Sequence, residues 1–225
     1  MCTLHGMADT DSRSGARYAG ANILEWTGRV HAPHDDTLER AYRAAEEHGL
    51  PPIQIGPSEG KAIALLLQLA GARKAVEIGT LAGYSALWMA KAMGPEGRVW
   101  TIEADPQAAS VARHNIAAGG FDDRIQVMEG TAVEVLPELE GHGPFDAVFI
   151  DADKQAYDRY GAWAATNLRA GGLLIGDNAY LFGRLLDSGE DGEAMRRFHE
   201  QASRDFESVC LPTPDGLLVG IRRRA

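Results

Sequence analysis

The chain has 225 residues, of which 22 are Lys or Arg and 32 are Asp or Glu, so its formal net charge is −10. This length, with 45% hydrophobic and 24% charged residues, predicts one globular domain with a full-sized core and excludes a chain that is disordered throughout. No run approaches the roughly 18 apolar residues of a membrane helix, and the opening segment lacks the apolar block of a signal peptide, so we expect a cytoplasmic protein.

The acidic balance argues against nucleic acid as a partner, because nucleic-acid-binding domains usually present a basic stripe that displaces counterions from phosphates. Arg222, Arg223 and Arg224 form a short basic run, which we interpret as a solvated tail. Cys2 and Cys210 lie near opposite ends of the chain without a Cys-x-x-Cys pair, which predicts two free thiols.

Residues 1–30 carry few periodic apolar positions and are rich in Gly, Ser and Asp, which predicts a loose N-terminal arm. The remainder, residues 31–225, is expected to form a single domain. Apolar residues at helical spacing predict one helix over Asp36–His48 and another from Ser58 through Ala70. Both helices precede the main fold.

From Lys74 onward, short β-branched or apolar runs alternate with helical patterns. The runs predict strands at Ala75–Ile78, Val99–Ile102, Ile125–Met128, Ala147–Ile150 and Leu173–Ile175. The patterns between them predict helices at Ser85–Met93, Pro106–Ala118, Val133–Leu139 and Tyr157–Leu168. Such an alternation requires right-handed crossovers and a parallel sheet that helices cover on both faces.

The alternation ends after Asp177. A helix predicted over Glu193–Asp205 is followed by two strand-like runs, Phe206–Leu211 and Leu217–Ile221. Their connection is rich in Pro, Asp and Gly, which predicts an antiparallel hairpin at one edge of the sheet.

Acidic residues end most of the predicted strands. Ligands bind beyond the carboxyl ends of the strands in such sheets, so these residues are candidates for a site. Glu77 precedes the glycine loop Gly79–Ser85, which lets backbone amides approach a negative group. Glu103, at the end of the second strand, stands where a nucleotide-binding unit grips ribose hydroxyls. The loop spacing differs from G-x-G-x-x-G, which weakens a dinucleotide interpretation.

Five segments, VEIGTLAGYS, TIEADP, GTAVEVLP, FDAVFIDADKQAY and GGLLIGDNA, follow in this order. Together they resemble the S-adenosylmethionine-dependent, divalent-metal-dependent O-methyltransferases of the catechol and caffeoyl-coenzyme-A type, from about Ile53 to Ile221. The resemblance implies an α/β fold with the Rossmann-like seven-stranded methyltransferase sheet, mostly parallel with an antiparallel last strand, and extra N-terminal helices. It also implies a homodimer.

The same resemblance implies positions for the cofactor. The residues expected to bind S-adenosylmethionine are Glu77, Gly79 and Ser85 at its amino-acid end, Glu103 at its ribose, Gly130, Thr131 and Ala132 at its adenine, Ile55 near its methionine moiety, and Asp151. Two segments flank these motifs and should form the walls around an aromatic acceptor. Their candidate residues are Ile53, Gln54, Tyr180 and Phe182.

Methyl transfer to a phenol needs a phenolate, and a phenol with a pKa of about 10 is mostly neutral near pH 7. A metal would solve this problem. Asp151 ends one predicted strand, and Asp177 with Asn178 ends the next, so three hard oxygen ligands can converge at one rim. Such a set suits Mg²⁺, with Mn²⁺ or Ca²⁺ as alternatives. The ion would stabilise the oxyanion and orient the acceptor.

Lys154, three residues after Asp151, matches the base proposed in the family. A nearby dication disfavours the ammonium form, so a neutral amine could take the hydroxyl proton. The alternative is that Lys154 orients the acceptor by its charge alone.

We therefore expect an O-methyltransferase for a catechol-like or other small aromatic or secondary-metabolite acceptor. The alternatives are a tRNA hydroxyuridine O-methyltransferase, a non-catalytic cofactor-binding protein, and, by fold alone, a NAD-dependent dehydrogenase. Animal catechol-type relatives place an acid shortly before Asp-Gly-Leu to grip the second hydroxyl. Here Leu211–Pro214 precedes Asp215 and offers no acid, which leaves the acceptor open.

Overall fold

Three helices precede the sheet in the computed structural model of the chain, which describes residues 20–224. They are α1 (Ala21–His31), α2 (Asp36–Glu47) and α3 (Pro57–Leu69). Where the sequence predicts a loose arm over residues 1–30, the described part therefore contains a helix, and residues 1–19 lie outside the described residues. Ile23, Trp26 and Val30 of α1 stand at helical spacing, a pattern that the predicted arm does not include, and their side chains are exposed.

Five parallel strands and their crossover helices follow, and their bounds agree with the predicted ones within two residues, except that β5 begins five residues before its predicted start. The elements are β1 (Lys74–Ile78), α4 (Tyr84–Met93), β2 (Arg98–Glu103), α5 (Pro106–Ala118), β3 (Ile125–Glu129), α6 (Ala132–Leu139), β4 (Phe145–Ile150), α7 (Tyr157–Asn167) and β5 (Leu168–Gly176). The chain ends with α8 (Glu190–Asp205), β6 (Phe206–Leu211) and β7 (Leu217–Arg222).

The seven strands form one sheet in the order β3-β2-β1-β4-β5-β7-β6. Strands β1 to β5 are parallel, whereas β7 is antiparallel to both of its neighbours, β5 and β6. The predicted parallel sheet with a reversed last strand is thereby confirmed. The strand order reverses between β1 and β4, and the crevice at such a switch point is where ligands bind in open α/β sheets.

Helices cover both faces of the sheet. Strand β4 sends Ala147 and Phe149 into a core shared with α2, α3 and α4, while Val148 and Ile150 enter a second core shared with α6, α7 and α8. Because both faces are occupied by packed side chains, a ligand can reach the sheet only at the strand ends. Within residues 20–224, no helix combines the length and apolar character needed to cross a membrane.

Gly79 marks the closest approach between the loop after β1 and the end of β4. Its φ of +99° is in the region that favours glycine, and a Cβ at this position would overlap the carbonyl oxygen of Asp151. The backbone amide of Asp151 donates to Ile78 O at 2.8 Å, which fixes the two strand ends side by side. The glycine loop and Asp151 therefore form one continuous rim.

Replacing Gly79 by Ala should destabilise the protein by at least about 3 kcal/mol, because it adds a backbone clash to an unfavourable φ. Gly71 is a matched control, since its φ is +59° but a Cβ there would meet open space. Gly71→Ala should cost about 1 kcal/mol from conformation alone. Urea denaturation of both variants measures the difference, and equal losses would contradict the clash.

Candidate active site

A cavity of about 770 Å³ opens at the carboxyl ends of the parallel strands, on the β1–β4 switch point. Most of the predicted site residues line it: Ile53, Gln54, Ile55, Gly79, Ser85, Glu103, Gly130, Thr131, Ala132, Asp151, Lys154, Asn178 and Phe182. Three others do not line the wall. Glu77 and Asp177 are buried behind it, and Tyr180 packs elsewhere.

Glu103 is held by the glycine loop. Its Oε2 accepts hydrogen bonds from the backbone amides of Leu81 at 2.7 Å and Thr80 at 3.2 Å, and its Oε1 accepts one from the Asp105 amide at 2.9 Å. Leu81 adopts a φ of +48°, a conformation that non-glycine residues rarely take. The loop backbone is therefore bent so that two of its amides fix the carboxylate at the end of β2.

Glu77 is fully buried at the end of β1. Its Oε2 accepts a hydrogen bond of 2.5 Å from the Thr101 hydroxyl, whereas its Oε1 is buried without a partner. Burial raises the pKa of Glu77 to about 8, and the charges of Asp151 and Glu103 add to the rise, whereas the Thr101 hydroxyl opposes it. The unpartnered oxygen can accept a hydrogen bond from a bound ligand.

The loop after β3 closes the cavity on the side of β2. The Gly130 amide donates to the Glu103 carbonyl at 2.8 Å, which ties this loop to the end of β2. Thr131 is the N-cap of α6 and donates its hydroxyl to Glu134 at 2.6 Å, and Ala132 begins the helix. A flat ligand can lie against this small and apolar corner.

Three carboxylates meet near the end of β5, where the first turn of α3 and the β6–β7 turn approach it. One ligand-type oxygen from each of Glu59, Asp177 and Asp215 lies within 4.8 Å of the other two. The pKa of Asp177 is raised to about 8, first by burial and then by the charges of Asp151, Asp215 and Glu59. The pKa of Glu59 is also raised, mainly by burial. A cation among these carboxylates would offset the burial and the repulsion that raise both pKa values.

The predicted metal ligands meet only in part. Asn178 and Asp177 are adjacent, but the Asn178 amide nitrogen, not its oxygen, faces the acids: it donates to Asp177 Oδ2 at 3.2 Å and to Asp215 Oδ2. Asp151 belongs to the neighbouring strand and pairs with Lys154. The amide oxygen and nitrogen can exchange places by a flip of the side chain.

Sequence reasoning missed Glu59 and Asp215. Glu59 stands four residues after the candidate Ile55, in a segment for which the resemblance implies only a position near the methionine moiety of the cofactor. Asp215 is the acid of Asp-Gly-Leu itself, whereas the acid of the animal relatives is expected before it. The β6–β7 turn carries Asp215 back to the cavity wall.

Lys154 is mostly buried and contacts two groups at the rim. Its Nζ donates to Asp151 Oδ1 at 3.2 Å and to the Tyr157 hydroxyl at 2.9 Å. The Tyr157 hydroxyl, itself buried, lies 3.0 Å from the Asp177 carbonyl and 3.2 Å from that of Ile150, either of which can accept its proton. The amine is thereby held between the ends of β4 and β5.

The outer walls of the cavity are apolar and exposed. Ile53 is 72% exposed and Phe182 is 59% exposed, and both line the cavity. Gln54 donates its side-chain amide to the Tyr42 carbonyl at 2.8 Å. Tyr180, expected beside the acceptor, instead packs on Gly216, where a Cβ would lie 2.7 Å from its ring. Two of the four predicted acceptor residues are thus large apolar side chains at the mouth.

A seven-stranded sheet with a reversed strand and a cavity of this kind defines the class of Rossmann-like methyltransferases. A solved O-methyltransferase from Bacillus cereus, in complex with SAH, has this fold: it is 35% identical with a TM-score of 0.85, over 90% of this chain and 97% of its own. The model of the O-methyltransferase family matches residues 24–223, and the chain belongs to that family.

Two similar curated proteins are named catechol O-methyltransferase. The one from Niastella koreensis is 44% identical over 83% of this chain and 90% of its own length. The one from Mycobacterium tuberculosis is 42% identical over 72% of this chain and 73% of its own length. The family expected from the sequence motifs is confirmed, and the dehydrogenase alternative, which rested on the fold alone, is set aside.

Replacing Glu77 by Gln should change how stability depends on pH. Because the pKa in the folded protein, about 8, lies above that of the unfolded chain, the folded protein keeps a proton that the unfolded chain releases above about pH 4.5. The free energy of unfolding of the ligand-free protein should therefore fall as pH rises from about 5 to about 8. Glu77→Gln removes this contribution.

Urea denaturation at intervals across this pH range measures the slope. Glu138, an exposed residue of α6, provides the control, and Glu138→Gln should keep the slope of the original protein. An unchanged slope in Glu77→Gln would contradict the buried, proton-retaining carboxyl.

Proposed function

We propose that this O-methyltransferase transfers the methyl group of S-adenosylmethionine to a hydroxyl of a catechol-like or other small aromatic acceptor, with the assistance of a divalent cation. The observation that carries the proposal is the rim itself. Buried carboxylate oxygens of Asp177 and Asp215 that have no partner lie at the same strand ends as Lys154 and the glycine loop. The names of the two curated relatives support the acceptor class.

The donor set of the cavity fits the cofactor. SAH, which the Bacillus cereus relative binds, is the demethylated product of S-adenosylmethionine. The residues that would hold the cofactor are Ile55, Glu77, Gly79, Ser85, Glu103, Gly130, Thr131, Ala132 and Asp151. The unpartnered Oε1 of Glu77 suits its amino group, and the fixed carboxylate of Glu103 suits its ribose hydroxyls. When bound, the cofactor supplies an electrophilic methyl group.

The acids of the rim fit a divalent cation. Asp151, Asp177 and Asn178 would hold it, with Mg²⁺ as the leading candidate and Mn²⁺ or Ca²⁺ as alternatives, because the ligands are hard oxygens. The fit rests on the buried Oδ1 of Asp177, which has no hydrogen-bond partner in the described residues. When bound, the cation acts as a Lewis acid that stabilises an acceptor oxyanion.

Lys154 is proposed to take the proton of the acceptor hydroxyl. Its amine stands at the cavity wall, and its contacts with Asp151 and Tyr157 direct it toward the rim. Asp151 is assigned to the cation, and the amine of Lys154 beside it is the basic nitrogen on the described cavity wall. Ile53 and Phe182 would enclose the aromatic ring and exclude water from the reacting oxygen.

A tRNA acceptor is the alternative. The net charge of −10 opposes it, and Lys154 is the basic residue on a described cavity wall that also carries four acids, Glu103, Asp151, Asp153 and Asp215. The homodimer implied by the family resemblance stays a prediction, which light scattering can test.

Turnover with catechol should require a divalent ion. Treatment with a chelator should abolish transfer of labelled methyl groups to catechol, and Mg²⁺ should restore it, because two vicinal oxygens can chelate the ion. A monohydric phenol should be a far poorer acceptor. The decisive assay compares catechols, caffeoyl esters, larger phenols and tRNA in parallel; turnover with tRNA alone would overturn the proposal.

The proposed roles of Asp177 at the cation and of Glu103 at the cofactor can be tested separately. Asp177→Ala should lower kcat at least about 100-fold while cofactor affinity stays within about threefold of the original, because Asp177 is assigned to the cation. Glu103→Ala should weaken cofactor binding measured by calorimetry. A comparable loss of cofactor affinity in both variants would contradict the assignment.

Lys154→Ala should lower kcat by on the order of 10²-fold or more, the usual contribution of a positioned general base, with little change in cofactor binding. Lys154→Arg should not restore the rate, because guanidinium keeps its proton at working pH. Steady-state kinetics of both variants measure this. If the arginine variant turns over at nearly the original rate, Lys154 acts by charge alone.

The matched control is Lys74, an exposed lysine at the amino end of β1. The cavity lies at the carboxyl ends of the strands, along the opposite edge of the sheet. The Lys74 Nζ donates to the His142 carbonyl, a contact remote from the rim. Lys74→Ala should leave kcat within about twofold of the original, since surface substitutions away from special contacts have small effects.

A further inference from the structure

Glu59 and Asp215 reach the rim from parts of the chain that the motifs leave unassigned. Glu59 lies in the first turn of α3, where its Oε2 accepts a hydrogen bond of 2.9 Å from the Gly56 amide. Asp215 lies in the turn between β6 and β7. Neither residue has a role in the cofactor or cation sets proposed above.

Asp215 is held in place by the segment that follows β5. The amide of Ala179 donates to the Gly216 carbonyl, and that of Tyr180 donates to the Asp215 carbonyl, each at 2.8 Å. The close packing of Tyr180 on Gly216 leaves no room for a side chain at that glycine. The turn is therefore fixed against the strand end that carries Asp177 and Asn178.

The separation of the three acids suits a single ion. Cations such as Mg²⁺ and Ca²⁺ take oxygen ligands at about 2.0 to 2.6 Å, so two ligands on opposite sides of one ion lie roughly 4 to 5 Å apart. The ligand-type oxygens of Glu59, Asp177 and Asp215 lie within 4.8 Å of one another. All three can therefore contact one ion with little movement.

Buried oxygens without partners point to a ligand at this place. Asp177 is only 4% exposed, and its Oδ1 is buried with no hydrogen-bond partner; Asp215 Oδ1 is in the same state. The other oxygen of each carboxylate accepts from the Asn178 amide. An unpaired buried carboxylate oxygen is costly, and a cation at this place would pair with both oxygens, which no described side chain does.

We propose that, in the acceptor-free protein, Glu59 and Asp215 belong, with Asp177, to the divalent-cation site, which is then built from α3, the ends of β4 and β5 and the β6–β7 turn. This inference rests on the cation assistance proposed above. The added carboxylates raise the charge and the number of hard oxygen ligands, which strengthens binding and admits larger ions such as Mn²⁺ and Ca²⁺. The cation also joins the N-terminal helices to the C-terminal hairpin.

Calorimetric titration with Mn²⁺ and Mg²⁺, without cofactor or acceptor, tests the inference on the full chain. Glu59→Gln and Asp215→Asn should each weaken binding at least about 10-fold, because each removes a charged ligand but keeps the shape of the side chain. Glutamine also preserves the capping contact of α3. One ion should bind per chain; two ions per chain would overturn the shared site.

Asp153 provides the matched control. It lines the same cavity two residues after Asp151, but its carboxylate is paired with the Tyr160 hydroxyl at 2.5 Å. Asp153→Asn removes the same charge from the same cavity, so it should change Mn²⁺ affinity by no more than about threefold. An equal loss in Asp153→Asn and Asp215→Asn would show a general effect of charge and would overturn direct ligation.

Terbium luminescence measures ligation without reference to activity. The lifetimes in H₂O and D₂O report the number of water molecules on bound Tb³⁺, which should rise by about one in Glu59→Gln and in Asp215→Asn as water replaces the lost oxygen. Unchanged affinity and water number in both variants would overturn this inference alone. If the original protein binds no divalent ion, the proposed cation assistance fails as well.

Discussion

The close contact between the loop after β1 and the end of β4 is the constraint on which the site depends. Gly79 has no side chain because the Asp151 carbonyl occupies the space where one would lie. The loop can therefore bend back over β2, where its amides hold Glu103. This contact brings the loop against the rim that the carboxyl ends of three neighbouring parallel strands share. The contact between Gly79 and Asp151 therefore joins the part of the cavity around Glu103 to the part lined by the other acids.

The second property of this rim is a concentration of acidic side chains, and burial raises the pKa values of two of them. Glu77 and Asp177 both have pKa values raised to about 8, for the same first cause, loss of contact with water. Their surroundings differ. Glu77 is flanked by hydroxyl donors, whereas Asp177 faces other acids. The first environment suits a hydrogen-bonding organic ligand and the second suits a cation, so the fold separates two kinds of recognition along one edge.

Much of this arrangement follows from local sequence. Strand ends are readable as the ends of apolar runs, so the amino-acid order alone assigns Glu77, Glu103 and Asp151 to one rim. Glu59 and Asp215 cannot be assigned in this way, because their approach depends on how α3 and the β6–β7 turn pack against the sheet, and contacts between distant segments leave no periodic signal. The helix α1 is missed for a different reason: the Gly, Ser and Asp content of residues 1–30 leads to the prediction of a loose arm, although Ile23, Trp26 and Val30 stand at helical spacing.

The segment after β5 carries both Asn178, a proposed ligand of the cation, and Phe182, a proposed contact of the acceptor. Asn178, Leu181 and Phe182 all adopt positive φ values between 48° and 54°, each costing about 1 kcal/mol for a non-glycine residue. Hydrogen bonds from Ala179 and Tyr180 to the β6–β7 turn offset that strain. The strained turn keeps Asn178 at the acids and projects Phe182 toward the cavity mouth. Because Phe182 is largely exposed, its replacement would reshape the proposed acceptor wall without disturbing the strand ends that carry the proposed catalytic residues.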